Sequence, residues 1–428
     1  MIVLVLFGIF FLLMLLSVPV SVALGLSTFI TSYFFEGYES LIDLASAVFS
    51  KLDKYALMAI PMFILAGNLL ATGSSAKRII DFAKAFVGHL PGGLPIAAIF
   101  ASIIFAAVSG SSPATVAAIG SIMFGAILKE GYPKTYAVGT ITTSGSLGIL
   151  IPPSIVMIIY GVTAEQSIGK LFIAGVIPGL LIGFMLMFVT YIGAKRLGFK
   201  KTAPASWKIR WQKFKEAFWA LMTIVIIIGG IYGGIFTPTE AAAVSAVWAM
   251  FIALFIYKDF KLSDLWDVFR SSAKTSSMIL FIIANASVFA YFLTLENIPD
   301  MLTNLVLDMH LNKIMFLVAV NILLLIAGNF MEPSSIVMIM VPLLLPIAEK
   351  LRIDPIHFGV IITINMELGM LTPPVGLNLF VASGITGLSI KEVVKSVIPW
   401  FLVMLFGLIL ITYIPQISLW LPHMMIGS

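Results

Sequence analysis

Cysteine is absent from this sequence, and histidine and charged residues are scarce. Without cysteine the chain can form no disulfide, thiol nucleophile, iron–sulfur cluster or cysteine-ligated zinc site. Only 11% of the residues are charged and 60% are hydrophobic, which excludes a soluble globular domain. The four histidines are scattered along the chain and are not spaced as metal ligands.

Motifs of nucleotide hydrolysis and of hydrolytic active sites are missing as well. The sequence has no Walker A loop, no zincin histidine pair and no nucleophile elbow. We therefore expect neither ATP hydrolysis nor an integral-membrane enzyme, and no cofactor other than coupling ions. The formal net charge of +5 comes from basic residues in connecting loops, so we expect no nucleic-acid partner.

Apolar runs of about 20 residues recur from one end of the chain to the other. They predict an all-α polytopic membrane protein embedded in the lipid bilayer. No Lys or Arg precedes Lys51 and no small-residue cleavage site follows the first apolar run, so we expect a retained first span rather than a signal peptide. An amphipathic stretch over 41–55 predicts a helix lying in the membrane interface. A second interfacial helix is expected at 262–265, where the pattern of 41–44 is repeated.

The stretch from Asn365 to Asn378 interrupts an apolar segment with two glycines and the pair Pro373-Pro374. Adjacent prolines remove backbone donors, so a continuous helix is not expected there. Irregular backbone at membrane depth needs protein or a wet cavity to satisfy its N–H and C=O groups. Two interpretations are open: a polar ligand site, or a proline-kinked helix with a few buried polar contacts.

A second copy of this break lies upstream. Pro152 begins another Pro-Pro pair, and its offset from Pro373 is 373 − 152 = 221 residues. Gly148 and Gly369 have the same offset. Because unrelated kinks do not share a register, the sequence predicts a duplicated chain with one broken helix in each half, at 134–162 and 355–382.

Each half also contains two short apolar arms around a polar interruption. In the first half the interruption runs from Ser109 to Thr115. Each arm has roughly 15 residues, or about 22 Å of helix, which is short of the roughly 30 Å hydrocarbon core. This predicts re-entrant hairpins at 94–128 and 313–348, with one overlong kinked helix as the alternative.

A basic segment separates the two halves. Residues 195–217 contain eight Lys and Arg residues against Glu216 alone, so the positive-inside rule places this linker in the cytoplasm. Five membrane spans, the broken helix among them, and one hairpin in each half give an odd number of crossings, which requires inverted topology. The predicted organisation is a first repeat (1–194), a linker (195–217) and a second repeat (218–428), with both termini in the periplasm.

The two hairpin tips and the two helix breaks are expected to meet near the membrane centre. Helix N-termini attract anions and C-terminal carbonyls attract cations, which suits an anionic substrate bound together with sodium ions. In the first half the expected cation-binding residues are Ser109, Gly110, Ser111, Ser112, Gly145, Ser146 and Gly148. In the second half they are Gly328, Asn329, Glu332, Pro333, Ser334, Gly369, Thr372 and Gly376. Substrate contacts are expected from Ser112, Thr115, Pro153, Ser154, Ser335, Glu367, Pro374 and Asn378.

Two carboxylates, Glu332 and Glu367, lie in segments expected at membrane depth, where an unpaired ionised group is costly. They are either cation ligands or a proton-coupling site, or else helix-end residues that orient the breaks through hydrogen bonds. Glu240 is interpreted as structural, because Thr237, Pro238 and Glu240 have the pattern of a capping box.

Four motifs carry a resemblance to a known family. They are Gly110-Ser-Ser-Pro-Ala-Thr115, Gly148-Ile-Leu-Ile-Pro-Pro-Ser154, Gly234-Ile-Phe-Thr-Pro-Thr-Glu-Ala-Ala242 and Glu367-Leu-Gly-Met-Leu-Thr-Pro-Pro-Val-Gly-Leu-Asn378. Over essentially its full length the chain resembles the large membrane subunit of tripartite ATP-independent periplasmic (TRAP) transporters.

The resemblance implies an elevator-type carrier of the ion-transporter superfamily in a bacterial inner membrane, with a scaffold and a moving transport domain. It also implies sodium coupling, a separate small four-helix membrane subunit, and a periplasmic binding protein that delivers an organic acid such as a C4-dicarboxylate or sialic acid. The alternative is a stand-alone ion-coupled carrier of organic anions. An ion channel is less favoured, because a channel needs a continuous pore and short hairpins block one.

Overall fold

A computed structural model describes residues 1–261 and 263–426 of the chain. Leu262, where the second interfacial helix was expected to begin, and the last two residues of the second predicted repeat lie outside this part. The described residues form helices and contain no strand. Eight helices are long and apolar enough to cross a membrane within these ranges. The prediction of an all-helical polytopic membrane protein is confirmed.

The helices of the first half are α1 (Ile2–Leu15), α2 (Val20–Glu36), α3 (Tyr38–Leu52), α4 (Ala59–Thr72), α5 (Ser75–Val87), α6 (Gly93–Ser109), α7 (Ser112–Lys129), α8 (Lys134–Ser146), α9 (Ile155–Thr163) and α10 (Ile168–Arg196). Those of the second half are α11 (Trp207–Ile224), α12 (Gly230–Tyr232), α13 (Pro238–Phe251), α14 (Asp264–Leu295), α15 (Ile298–Asp308), α16 (Lys313–Gly328), α17 (Pro333–Lys350), α18 (Pro355–Gly369), α19 (Leu377–Thr386), α20 (Ile390–Tyr413) and α21 (Gln416–Ile426). A π-helical turn at 225–229 joins α11 to α12.

The two segments with polar interruptions each consist of two helices that pack against each other, α6 with α7 and α16 with α17. Gly110 ends α6 in the left-handed conformation, with φ of 60°, and Ser111 is extended. In the second segment Pro333 is the first residue of α17, where its missing N–H leaves no backbone donor unpaired. We call the turns between these helices tip 1 (109–112) and tip 2 (328–333).

The two proline pairs divide helices in both halves. Helix α8 ends at Ser146 and α9 begins at Ile155, while α18 ends at Gly369 and α19 begins at Leu377. We call the residues between them break 1 (147–154) and break 2 (370–376). Every residue of α8 from position 136 to 146 is buried, and so is every residue of α18 from 356 to 369.

The broken helices also join the two halves of the chain. Helix α8 packs against α20 of the second half, and α18 packs against α10 of the first half. The indole Nε1 of Trp400 donates a hydrogen bond to Thr190 Oγ1 at 2.7 Å and so ties α20 to α10. This exchange of partners brings the ends of α8 and α18 together, so that Ser146 and Glu367 are in contact.

Two elements differ from their predicted form. Helix α10 extends to Arg196 and α11 begins at Trp207, so only residues 197–206 of the predicted linker are non-helical. Helix α14 runs unbroken from Asp264 to Leu295. The prediction of a separate interfacial helix at 262–265 is therefore wrong for its described residues, 263–265. The stretch contains neither Gly nor Pro, and its first turns therefore continue directly into the following span.

The predicted capping box is present at the start of α13. Thr237 Oγ1 accepts from the Glu240 backbone N–H at 3.3 Å, and the Glu240 carboxylate accepts from the Thr237 backbone N–H at 2.8 Å. This motif, within one of the four family-like segments, therefore stabilises a helix end.

Candidate functional site

Tip 1 is hydrogen-bonded to the two helix ends that flank break 1. The hydroxyl of Ser112 donates to the backbone carbonyl of Ser146 at 2.5 Å. The backbone N–H of Ile155 donates to the carbonyl of Gly110 at 3.4 Å. The tip therefore satisfies polar backbone groups that the helix ends leave without intrahelical partners.

Tip 2 contacts break 2 in a similar way. The backbone N–H of Val375 donates to the carbonyl of Asn329 at 2.9 Å. In each half a backbone hydrogen bond thus joins the hairpin tip to the chain in the break or directly beside it. The expected meeting of tip and break therefore occurs in each half.

Glycines allow these close approaches. A Cβ atom at Gly148 would lie 2.6 Å from the carbonyl carbon of Ser111, and one at Gly369 would lie 2.7 Å from the Cα of Gly328. Real Cβ atoms essentially never come this close to backbone atoms, so both contacts need a residue without a side chain. Gly148 therefore sets the distance between tip 1 and break 1, and Gly369 sets the distance between tip 2 and the end of α18.

Glu332 lies at the N-cap of α17. Its Oε1 accepts from the Ser335 backbone N–H at 3.2 Å, and its Oε2 accepts from the Ser334 hydroxyl at 3.3 Å. A carboxylate in this position also interacts favourably with the helix dipole. Glu332 therefore has the geometry of a residue that caps a helix end through hydrogen bonds. Cation binding by Glu332 stays a prediction.

Glu367 is fully buried at the end of α18, and it joins the two halves. Its Oε1 accepts from the Ser146 hydroxyl at 3.3 Å, across a sequence separation of 221 residues. This separation is the offset between the two Pro-Pro pairs, so the two residues hold equivalent positions in the predicted repeats. Its second oxygen, Oε2, has no hydrogen-bond partner within the described residues.

Other buried polar atoms around tip 2 and break 2 also lack partners in the described part of the chain. They are Asn329 Oδ1, Ser335 Oγ, Asn365 Oδ1 and both amide atoms of Asn378. A buried polar group without a partner costs about 1–3 kcal/mol, so such a concentration is typical of a site completed by an ion, a substrate or water. The sequence analysis named all of these except Asn365 as site residues.

Several other predicted site residues are bonded within their own segments. Thr115 Oγ1 lies 2.9 Å from Ser109 Oγ and donates to the Ser111 carbonyl, and Ser154 Oγ accepts from the Met157 backbone N–H as the N-cap of α9. Three other predicted site residues make local contacts: Gly145 lies against Val116, Pro153 lies against Gly110, and the Thr372 hydroxyl bonds to the Gly369 carbonyl. Of the other two, Gly376 occupies the left-handed region with φ of 45°, and Pro374 is exposed. Their local roles require no ligand.

A cavity of about 200 Å³ separates tip 1 from helices α4 and α14. Ser109 and Ser111 of tip 1 line one side, and Asn68 of α4 and Thr275 of α14 line the other. The sequence analysis missed Asn68 and Thr275, because both lie in uninterrupted spans. The available signal was a single amide in the apolar run of α4.

The model of the tripartite ATP-independent periplasmic transporter family, DctM component, matches residues 7–417. The chain is 51% identical to the C4-dicarboxylate TRAP transporter large permease protein DctM of Rhodobacter capsulatus, with 99% of both chains covered. It is 50% identical to the protein of that name from Pseudomonas aeruginosa, with 94% of both covered. The crystal structure of the Alcanivorax borkumensis YdaH transporter matches with a TM-score of 0.63 over 91% of this chain and 90% of that one. At 14% identity this last likeness concerns the fold alone.

Proposed function

This chain belongs to the family of the DctM component of TRAP transporters, and on that premise we propose that it is the subunit through which a C4-dicarboxylate crosses the membrane together with sodium ions. The family match and the identities of 51% and 50% confirm the resemblance that the four motifs predicted. The chain is accordingly a multi-pass membrane transporter component. The two relatives are named for C4-dicarboxylates, and this supports that substrate over sialic acid.

One observation carries the coupling to sodium: tip 2 and the helices that flank tip 2 and break 2 contain buried oxygens that have no hydrogen-bond partner within the described residues. Asn329, Ser335, Asn365 and Glu367 each contribute such an oxygen. Small hard cations are held in proteins by backbone carbonyls and by carboxylate, amide and hydroxyl oxygens. Bound sodium would satisfy these atoms, and tip 1 with its Ser109–Ser112 oxygens is the proposed counterpart in the first half.

Coupling to cations is also needed on energetic grounds. A dicarboxylate carries two negative charges, and an inward-negative potential opposes its uptake by about 2.3 kcal/mol per charge per 100 mV. Two sodium ions cancel the charge of the substrate, and a third makes the membrane potential a driving force. The proposed stoichiometry is therefore two or more sodium ions per dicarboxylate.

We further propose two inverted repeats, with the hairpins and broken helices moving as a transport domain against a scaffold that includes α4 and α14. The packing of α8 with α20 and of α18 with α10 supports one compact moving unit. Helices α7 and α17 begin 221 residues apart, at Ser112 and Pro333, which supports the repeat. In this arrangement both termini face the periplasm, and a small membrane subunit and a periplasmic binding protein complete the transporter.

The test is uptake of radiolabelled organic acids into proteoliposomes that contain this chain and its small subunit. Each acid is offered with and without an inward sodium gradient and with and without purified binding protein. We expect C4-dicarboxylate uptake that requires both. Uptake that needs sodium but no binding protein would favour the stand-alone carrier, and uptake indifferent to sodium would refute the proposed coupling.

A further inference from the structure

The cavity at tip 1 is bounded by two bodies that the proposed function sets in relative motion. Ser109 and Ser111 belong to the hairpin, whereas Asn68 and Thr275 belong to α4 and α14. Close to the cavity, a Cβ atom at Gly67 would lie 3.1 Å from Ser109 Cα, so α4 and the tip are nearly in contact there. The cavity therefore lies at the contact between tip 1 of the hairpin and the helices α4 and α14.

The polar groups on the α4–α14 side are held in fixed positions. Asn68 Nδ2 donates to the hydroxyl of Ser272 on α14 at 2.9 Å, and Ser272 is 4% exposed. This bond uses one of the two N–H groups of the amide and leaves the second available. Thr275 lies about one turn beyond Ser272 on the same side of α14, and its hydroxyl donates to the Ser271 carbonyl at 3.1 Å, so Thr275 shapes the cavity without donating into it.

The lining contains no Lys or Arg. Its polar members are Ser109, Ser111, Asn68 and Thr275, all of them neutral, beside apolar residues such as Ile64 and Ile279. Neutral donors can hold a carboxylate by hydrogen bonds but cannot balance its charge. A dicarboxylate bound here consequently depends on cations at the tip, as sodium coupling requires.

The size of the cavity limits the solute. Its volume of about 200 Å³ corresponds to about seven waters at ~30 Å³ each. A four-carbon diacid has a similar number of non-hydrogen atoms, whereas a nine-carbon sugar acid has more than twice as many. The cavity therefore matches the shorter solute.

From this geometry we propose that Asn68 and Thr275 are the scaffold-side wall of the substrate site and select a short dicarboxylate by hydrogen bonding and by size. This rests on the proposed function and deepens it. Asn68 donates to one carboxylate of the substrate, Ser272 holds the amide in place, and Thr275 limits the length of the solute.

The test is equilibrium binding of radiolabelled succinate to the full chain with its small subunit, at saturating sodium and without binding protein. Adipate, a six-carbon diacid, is used as competitor. Asn68→Ala should raise the Kd for succinate about tenfold, since a hydrogen bond to a charged group is lost. The same substitution should also raise the affinity for adipate relative to succinate, because removing the amide lengthens the cavity. Thr275→Ala shortens a side chain that lines the cavity and keeps the Asn68–Ser272 bond, so it should favour adipate with little change in the Kd for succinate.

Thr72→Ala, one turn from Asn68 on α4 and exposed, is the matched control and should bind like the wild type. A purely structural role for Asn68 would reduce the number of active sites but leave the ratio of the two affinities unchanged. An unchanged ratio of the two affinities in both variants, or a wild-type Kd for succinate in Asn68→Ala, would overturn the inference. Absence of sodium-dependent succinate binding in the wild type would instead refute the proposed function.

Discussion

Replacing Gly148 by Ala tests whether contact between tip 1 and break 1 is needed for sodium binding. The added Cβ would lie 2.6 Å from the carbonyl carbon and oxygen of Ser111 and 2.7 Å from the Ser112 nitrogen. Ordinary van der Waals contact begins at 3.4 Å, so tip and helix must separate by about 0.8 Å, the difference between 3.4 and 2.6 Å. The obstructing atoms are backbone and cannot be relieved by rotating a side chain.

A separation of this size would disturb the bonds that hold the tip in place. The Ile155–Gly110 bond is already 3.4 Å long, and the Ser112 hydroxyl bonds to the Ser146 carbonyl across the same contact. Overpacking typically costs about 1–3 kcal/mol. If sodium binds only when the tip is seated, that cost corresponds to a rise of about 5- to 150-fold in the sodium concentration for half-maximal uptake.

The assay is sodium-dependent uptake in proteoliposomes, with Gly125→Ala as the matched control. Gly125 is in α7 of the same hairpin, and a Cβ there would meet nothing within 4 Å. Alanine is also the better helix former, so the control should fold at least as well as the wild type. A wild-type sodium curve for Gly148→Ala, at normal amounts of folded protein, would show that the contact has no part in sodium binding.

Three further variants test other parts of the proposal. Glu367→Gln keeps an acceptor for the Ser146 hydroxyl but removes the charge, so the sodium curve should shift severalfold to higher concentration; an unshifted curve would make the charge dispensable. Ser334→Ala should shift the same curve in the same direction if its hydroxyl is a ligand, and an unaltered curve would remove it from the site. Because the chain has no cysteine, Ala114→Cys in the first hairpin with Ile279→Cys in α14, both lining the cavity, can be joined by a short reducible thiol crosslinker. Crosslinking should stop uptake and reductant should restore it, whereas full uptake by verified crosslinked protein would contradict relative motion of these elements.

The breaks and the hairpin tips could be located from the sequence because backbone chemistry determines them. Two adjacent prolines interrupt a helix whatever surrounds them, so Pro152-Pro153 and Pro373-Pro374 mark breaks without any knowledge of tertiary packing. The capping box at Thr237 was found for the same reason, since its partners are three residues apart. Local rules of this kind need only the neighbouring residues.

Contacts between distant segments could not be derived in this way. Asn68 and Thr275 belong to regular spans, and only the packing of α4 and α14 around tip 1 makes them line a cavity. The cap role of Glu332 depends on the exact residue at which α17 begins, which its pattern in the sequence left open. The continuous α14 was missed because an amphipathic pattern favours a helix but does not determine where that helix ends.

The contact between Ser146 and Glu367 explains why only one half of the predicted duplication carries a carboxylate at this position. Equivalent positions of two repeats touch only beside the axis that relates them, and these side chains meet at 3.3 Å. Two glutamates there would face each other, and at an effective dielectric constant of 20 their repulsion would be about 5 kcal/mol. Ser146→Glu alone should therefore abolish uptake or folding, whereas Ser146→Glu combined with Glu367→Ser restores one carboxylate and one hydroxyl and should recover activity. If the exchange fails while Glu367→Ser alone is active, a carboxylate at position 146 is not tolerated even opposite a serine, and the two halves are not interchangeable at their contact.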